Sequence, residues 1–114
     1  VFFSDDEFVQ PDLLLIFKEH AERLTDNRVI GAPDLVVEIV SPGSVRADRV
    51  PKRLLYARHR VPEYWIISPT EYAIEVLSLK EGQYESVGLY ENEELLASPL
   101  LAGLSIKVNT IFEE

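Results

Sequence analysis

Apolar and polar positions alternate in blocks along this chain, and the blocks read as secondary-structure elements. Pro11-Asp12 opens an apolar run over residues 13–17, whose length and composition predict a strand. Residues 18–32 are polar and end in Gly31-Ala32-Pro33. They read as a connection with a helical turn near His20 to Leu24, long enough for the flanking strands to pair antiparallel. Residues 34–40 predict a second strand rich in Val, Leu and Ile. Its nearly continuous apolarity predicts burial on both faces, as in a central strand. Pro42 and Gly43 stop it.

Ser41-Pro42-Gly43-Ser44 reads as a turn and a helix follows. Asp48 is a good N-cap, and a helix starting there puts Pro51 in the first turn, where a missing N–H costs nothing. Val50, Leu54, Ala57 and Val61 keep helical spacing and are expected against the sheet. Lys52, Leu55, Tyr56 and His59 form an adjacent stripe, and Pro62 ends the helix. Residues 63–68 predict a third strand, which holds the only tryptophan, Trp65. Strand, turn, helix, strand is a βαβ unit, because a crossover helix lets two strands lie parallel. Residues 72–79 and 84–90 predict a hairpin around Lys80-Glu81-Gly82-Gln83. Two short apolar segments close the chain, the last over residues 105–112. Residues 1–10, with Asp5, Asp6 and Glu7, read as a loop or frayed strand. The expectation is one α/β domain spanning residues 1–114.

Composition bounds the function. A chain of 114 residues that is 46% hydrophobic can build one small core. No apolar run approaches the roughly 20 residues needed to cross a bilayer, and no signal-peptide pattern opens the chain. The absence of cysteine excludes disulfides and thiolate metal sites. A cytoplasmic protein with no membrane contact is expected. There is no methionine either, and the chain opens on Val1-Phe2-Phe3, which points to the C-terminal portion of a longer chain. A net charge of −9 argues against loose binding to nucleic acid. Yet Arg46, Arg49, Lys52, Arg53, Arg58 and Arg60 are six of the eleven basic residues, and only Asp48 opposes them there. That island is either a phosphate-contacting surface or a solvated helix face.

The candidate chemistry centres on Glu38. A carboxylate in an apolar strand costs several kcal/mol unless it is paired or bound to metal. On the residues alone it is either a structural ion pair or a functional acid. Asp34 shares its strand face, but four residues of strand span roughly 13 Å, too far for both to hold one ion without a bulge. Asp12 is the better partner. If its strand runs antiparallel to residues 34–40, its beginning lies beside Glu38, and two carboxylates make the oxygen set that Mg²⁺ and Mn²⁺ prefer. A βα crossover can carry the Lys52 ammonium over the same sheet end. Asp48 lies four residues before Lys52, so an ordinary helix pair is the other reading of that lysine. Asp12 is otherwise a plain strand-start acid, and Tyr56 and Trp65 are core residues with satisfied polar tips. His20 and His59 are not spaced as a metal pair. Ser41 and Ser44 are candidates for phosphate contact or helix capping. No serine-hydrolase elbow, phosphate-cradling glycine loop or dinucleotide fingerprint is present.

Asp12, the run VVEIVSP, Asp48, Lys52, Tyr56, the strand VPEYWIIS and the closing SPLLAGLSIKV together resemble the Uma2 family (DUF820) of restriction-endonuclease-like proteins. The resemblance covers most of the chain, with the motifs in order. It implies the PD-(D/E)XK nuclease fold, a mixed sheet flanked by helices, here with a C-terminal β-hairpin extension and without the family's N-terminal part. It implies that Asp12 and Glu38 are the first and second acids of that signature. Val40 stands where the broad pattern has a strand lysine, so Lys52 is taken to supply that ammonium from the helix. Arg60 stands where a glycine is usual. The activity implied is a Mg²⁺- or Mn²⁺-dependent endonuclease hydrolysing DNA phosphodiester bonds. Asp12, Glu38 and Lys52 are its catalytic residues, and Asp12 and Glu38 its metal ligands. A homodimer is expected from the small domain and the apolar C-terminal segments. The alternatives are a catalytically inactive nuclease-fold module for binding or assembly, and a metal hydrolase acting on something other than DNA.

Overall fold

The computed structural model describes residues 1, 3, 11–25, 28–40, 45–104 and 106–111, with the backbone alone at 25, 28, 45–50, 109 and 110. The turn expected at residues 41–44 and the acids Asp5, Asp6 and Glu7 lie outside the described residues. Strand β1 (Leu13–Leu15) is followed by a 3-10 helix, Lys18–Arg23, and a small ladder of β2 (Leu24–Thr25) and β3 (Arg28–Val29). Then come β4 (Leu35–Ile39), helix α1 (Val45–Arg58) and β5 (Glu63–Ser68). The hairpin strands β6 (Ala73–Lys80) and β7 (Gln83–Glu91) follow. Strand β8 (Leu95–Leu96) pairs with β9 (Ile106–Lys107), and α2 (Val108–Ile111) comes after β9.

Five strands make one mixed sheet in the order β1-β4-β5-β6-β7. Among the described residues the one parallel pair in it is β4 with β5, joined by α1, as the βαβ reading expects. Strand β1 is antiparallel to β4. The expected hairpin is present, and its strands continue this same sheet. Its two turn residues, Glu81 and Gly82, both have positive φ, at 51° and 80°. That is the demand of a type I′ turn, whose twist matches the flanking strands.

The sheet buries both faces, so β4 and β5 are apolar at nearly every position. Leu35, Val37, Trp65, Ile74 and Val76 face the C-terminal segment, where Leu96 and Val108 complete the core. Val36, Tyr64, Ile66 and Leu77 face α1, which covers them with Tyr56. A β-bulge between Val76 and Leu77 shifts the register, pairing Val76 with Gly88 but Leu77 with Ser86. Val87 is the extra residue, and it inverts the alternation along β7. Tyr84 therefore packs on the α1 side and Tyr90 on the opposite side, although an even number of positions separates them.

Helix α1 departs from expectation in two ways. Its helical backbone starts by Val45, so Asp48 is not the cap and Pro51 lies inside the helix. Pro51 is exposed, so the carbonyl deprived of its donor is on the side open to water. The buried face matches the expected stripe only in part: Ala57 and Val61 pack on the core, Leu54 does not, and the Val50 side chain lies outside the described residues. Leu54 is 65% exposed while Tyr56 is fully buried, so the face carrying Lys52 and Tyr56 meets the sheet. At about 100° per residue the two stripes lie on roughly opposite sides of the helix, and the groups of the sheet, rather than hydropathy, set which residues meet it.

The end of α1 is a Schellman close. Val61 N–H donates to Tyr56 C=O at 3.1 Å and Arg60 N–H to Ala57 C=O at 3.1 Å. Arg60 occupies the left-handed position with φ 61°, which explains why glycine is usual there. The C-terminal segment is tied by a different device. Glu63, 1% exposed, accepts hydrogen bonds from Trp65 Nε1 at 2.8 Å, Ser98 Oγ at 2.5 Å and Leu100 N–H at 3.1 Å. Ser98 Oγ in turn accepts from Leu101 N–H at 3.0 Å.

Two stability changes follow. Arg60→Gly relieves the left-handed conformation and raises the unfolding free energy by about 0.5–1 kcal/mol. Glu63→Gln replaces an acceptor with a donor facing the Trp65 indole and lowers it by about 1–3 kcal/mol. Urea denaturation followed by Trp65 fluorescence measures both. A destabilised Arg60→Gly or a neutral Glu63→Gln contradicts these assignments.

Candidate active site

The site is built where the ladder between β1 and β4 runs out. Leu13 pairs with Val37, so one further step of the antiparallel register sets Asp12 opposite Glu38. Strand β1 begins at Leu13, which leaves the Ile39 N–H on that side without a strand partner. Asp12 Oδ2 accepts it at 2.7 Å, satisfying a backbone donor that would otherwise be orphaned. Asp12 itself is exposed, and its other oxygen, Oδ1, is not used by that bond.

Glu38 is 5% exposed and shares the sheet face of Val36, beneath α1. Two groups of α1 meet it. Lys52 Nζ lies 3.3 Å from Oε2, and Tyr56 Oη donates to Oε1 at 2.5 Å. Lys52 and Tyr56 are one helical turn apart, so both reach down from the same face. The Lys52 side chain is 36% exposed, so this ion pair is open to water on one side. Burial, and then the hydrogen bond to Glu38, push the Tyr56 phenol far above its usual range, so it remains a donor. Burial raises the Tyr84 phenol as well, and its hydroxyl donates to Val61 C=O at 2.6 Å.

The structure thus brings Asp12, Glu38 and Lys52 to one end of the sheet, at the C-terminal end of β4. Asp34 is held elsewhere. Its carboxylate takes Phe17 N–H at 2.7 Å and His20 Nδ1 at 2.9 Å, with Arg23 Nη1 at 4.0 Å. That network occupies the opposite end of β4, which is the separation the strand length predicts. Ser41 and Ser44 lie outside the described residues, as do the side chains of Arg46, Asp48 and Arg49. Of the rest of the basic island, Arg53 donates to Tyr84 C=O at 2.9 Å. Tyr56 is the residue that sequence reasoning left in the core. Its signal was present in the i, i+4 spacing from Lys52. Among the described residues no group of three His, Cys, Asp or Glu side chains is gathered to hold a metal. The available donor set is the pair Asp12 and Glu38. Both are hard oxygen ligands, as Mg²⁺ and Mn²⁺ require, so the residues fit a divalent ion that also takes waters or substrate oxygens.

The family model for Uma2, described as "Putative restriction endonuclease", matches residues 1–109. The chain belongs to the Uma2 family. Among solved structures, it is similar to a putative nuclease belonging to DUF820 from Anabaena variabilis ATCC 29413, with a TM-score of 0.70 and 22% identity. The match covers 91% of this chain and 59% of that one, so this chain spans under two thirds of its solved relative. At that identity the likeness establishes the nuclease fold. No curated protein matches the chain. In this Uma2 chain Asp12 and Glu38 lie at the same edge of the sheet, where the β1–β4 ladder ends.

The ion pair over Glu38 generates a stability prediction. Lys52→Met leaves a buried carboxylate with Tyr56 as its remaining described partner. It costs about 1–2 kcal/mol, less than the ~3–5 of a fully buried pair because the ammonium is partly solvated. In a Glu38→Gln background the same change is close to neutral. Equal losses in both backgrounds, read by urea denaturation, would show that Lys52 does not act through Glu38.

Proposed function

We propose that this chain is the catalytic core of a metal-dependent endonuclease that hydrolyses DNA phosphodiester bonds. Asp12 and Glu38 hold Mg²⁺ or Mn²⁺, and Lys52 assists. The observation that carries the reading is Glu38, a carboxylate held in the interior with Asp12 beside it and an ammonium over it. The ion would polarise a phosphate oxygen and make water nucleophilic near neutral pH. Lys52, at the exposed rim of the site, donates to the charge that develops on the phosphoryl oxygens. The neighbouring basic residues of α1 and its end contact flanking phosphates, against an otherwise acidic surface of net charge −9. Two copies act together as a homodimer in the cytoplasm, which suits cutting both strands. No helix among the described residues is long and apolar enough to cross a membrane.

One observation favours a second reading, a nuclease-fold module that binds or assembles without cutting. Glu38 already has a cation, Lys52, at 3.3 Å, and a pair of that kind is self-sufficient. Calorimetric Mn²⁺ titration separates the two readings. The nuclease reading expects saturable heat in the parent, none in Glu38→Ala, and Mn²⁺-dependent nicking of plasmid DNA. It expects that nicking to fall at least a hundredfold in Asp12→Ala, Glu38→Ala and Lys52→Ala, in line with loss of groups acting on the transition state. Folded parent protein that neither binds Mn²⁺ nor nicks DNA overturns the reading that this chain holds a self-sufficient nuclease site, and leaves the module or a site completed by residues outside this chain.

A further inference from the structure

The two oxygens of Glu38 have different surroundings. Oε2 faces Lys52 on the side of the site that water reaches, while Oε1 takes the Tyr56 hydroxyl in the interior. Tyr56 is held more firmly than packing of a ring alone demands. It is fully buried, and its ring meets Tyr64 edge-on at 5.3 Å and Phe3 edge-on at 6.4 Å. Its own carbonyl is taken by Val61 N–H in the helix close, which anchors the backbone beneath the side chain. A phenylalanine would fill the same space. What the hydroxyl adds is a fixed donor against one oxygen of a carboxylate that could otherwise rotate.

We propose that Tyr56 is a positioning residue for the Glu38 site. By occupying Oε1 it leaves Oε2, which faces the Lys52 ammonium at 3.3 Å on the open side, as the one oxygen turned toward a divalent cation shared with Asp12. This rests on Glu38 being a metal ligand. A carboxylate limited to one oxygen suits an ion with strict octahedral demands, such as Mg²⁺. One free to rotate can bind through both oxygens, which suits the larger and more tolerant Ca²⁺. Tyr56 therefore sets ion selectivity as well as affinity. A hydroxyl kept only to satisfy a buried carboxylate would affect stability without distinguishing the two ions.

The test is separate calorimetric titration of Mg²⁺ and Ca²⁺ into the parent, Tyr56→Phe, Tyr84→Phe and Glu38→Ala, well below their unfolding temperatures. Tyr84→Phe is the control for loss of a buried hydroxyl, since that group donates to Val61 and not to Glu38. In Tyr56→Phe the Mg²⁺ affinity falls about 10- to 100-fold, the usual consequence of losing an outer-shell partner. Ca²⁺ affinity stays within about twofold, because Ca²⁺ tolerates a rotated carboxylate. Tyr84→Phe leaves the ratio of the two affinities at the parent value. An unchanged ratio in Tyr56→Phe, with both ions binding the parent and neither binding Glu38→Ala, overturns the positioning role and leaves the metal site standing. A parent that binds neither ion overturns both. Should Tyr56→Phe fail to fold, the parent alone still decides the matter by NMR with labelled tyrosine. The Tyr56 hydroxyl proton must be protected from exchange and must stay so on adding Mg²⁺. Its disappearance with bound Mg²⁺ refutes the role.

Discussion

A carboxylate kept out of water at the end of a central strand is the constraint on which this structure turns. Glu38 is 5% exposed, and an acid so placed destabilises any fold that does not bring it donors. Helix α1 brings two, from Lys52 and Tyr56. That requirement sets the rotation of the helix about its axis. Lys52 and Tyr56 must face inward, so Leu54 faces outward at 65% exposure.

Among the described residues three acids are buried, and they differ in what meets them. Asp34 and Glu63 are consumed structurally. Asp34 is wrapped by a backbone N–H, His20 and Arg23 at the start of β4, and Glu63 by an indole, a hydroxyl and a backbone N–H. Glu38 differs in having one oxygen turned toward a half-exposed ammonium and an exposed neighbouring carboxylate, Asp12. Burial alone therefore does not mark a functional acid in this chain. The proposed metal role rests instead on the open side of Glu38, because a group that exchanges ligands cannot have every lone pair committed to the protein.

Much of the architecture was legible because its signals are local. Third strand and hairpin lie within about a residue of where composition and turn chemistry put them, and the strand before the helix is short by one residue at each end. The length of the connection allows antiparallel pairing of β1 with β4, and the observed pairing carries Asp12 to the level of Glu38. Asp12 and Lys52 lie on elements that meet at one sheet edge, which makes their closeness to β4 legible from element order. The role of Tyr56 was not legible in that way, since a tyrosine on a helix beside an apolar sheet has packing as its ordinary explanation. The start of α1 was misplaced because Asp48 and Pro51 form a good first-turn pattern in isolation. The bulge at Val87 left no mark in the apolar pattern that could be separated from a regular strand.

By itself the sequence determined the elements, the parallel crossover, the absence of thiol chemistry and the acids worth suspecting. Each of these depends on residue type and spacing within one segment. Tertiary structure alone decided which stripe of α1 is buried, which face each end of β7 presents, and which of the buried acids keeps an open side. The reason is that the apolar pattern of one segment does not register a bulge in a strand or the polar groups that meet a helix face. The choice falls to a few polar groups whose partners lie far along the chain, such as Tyr56 to Glu38 across 18 positions and Ser98 to Glu63 across 35.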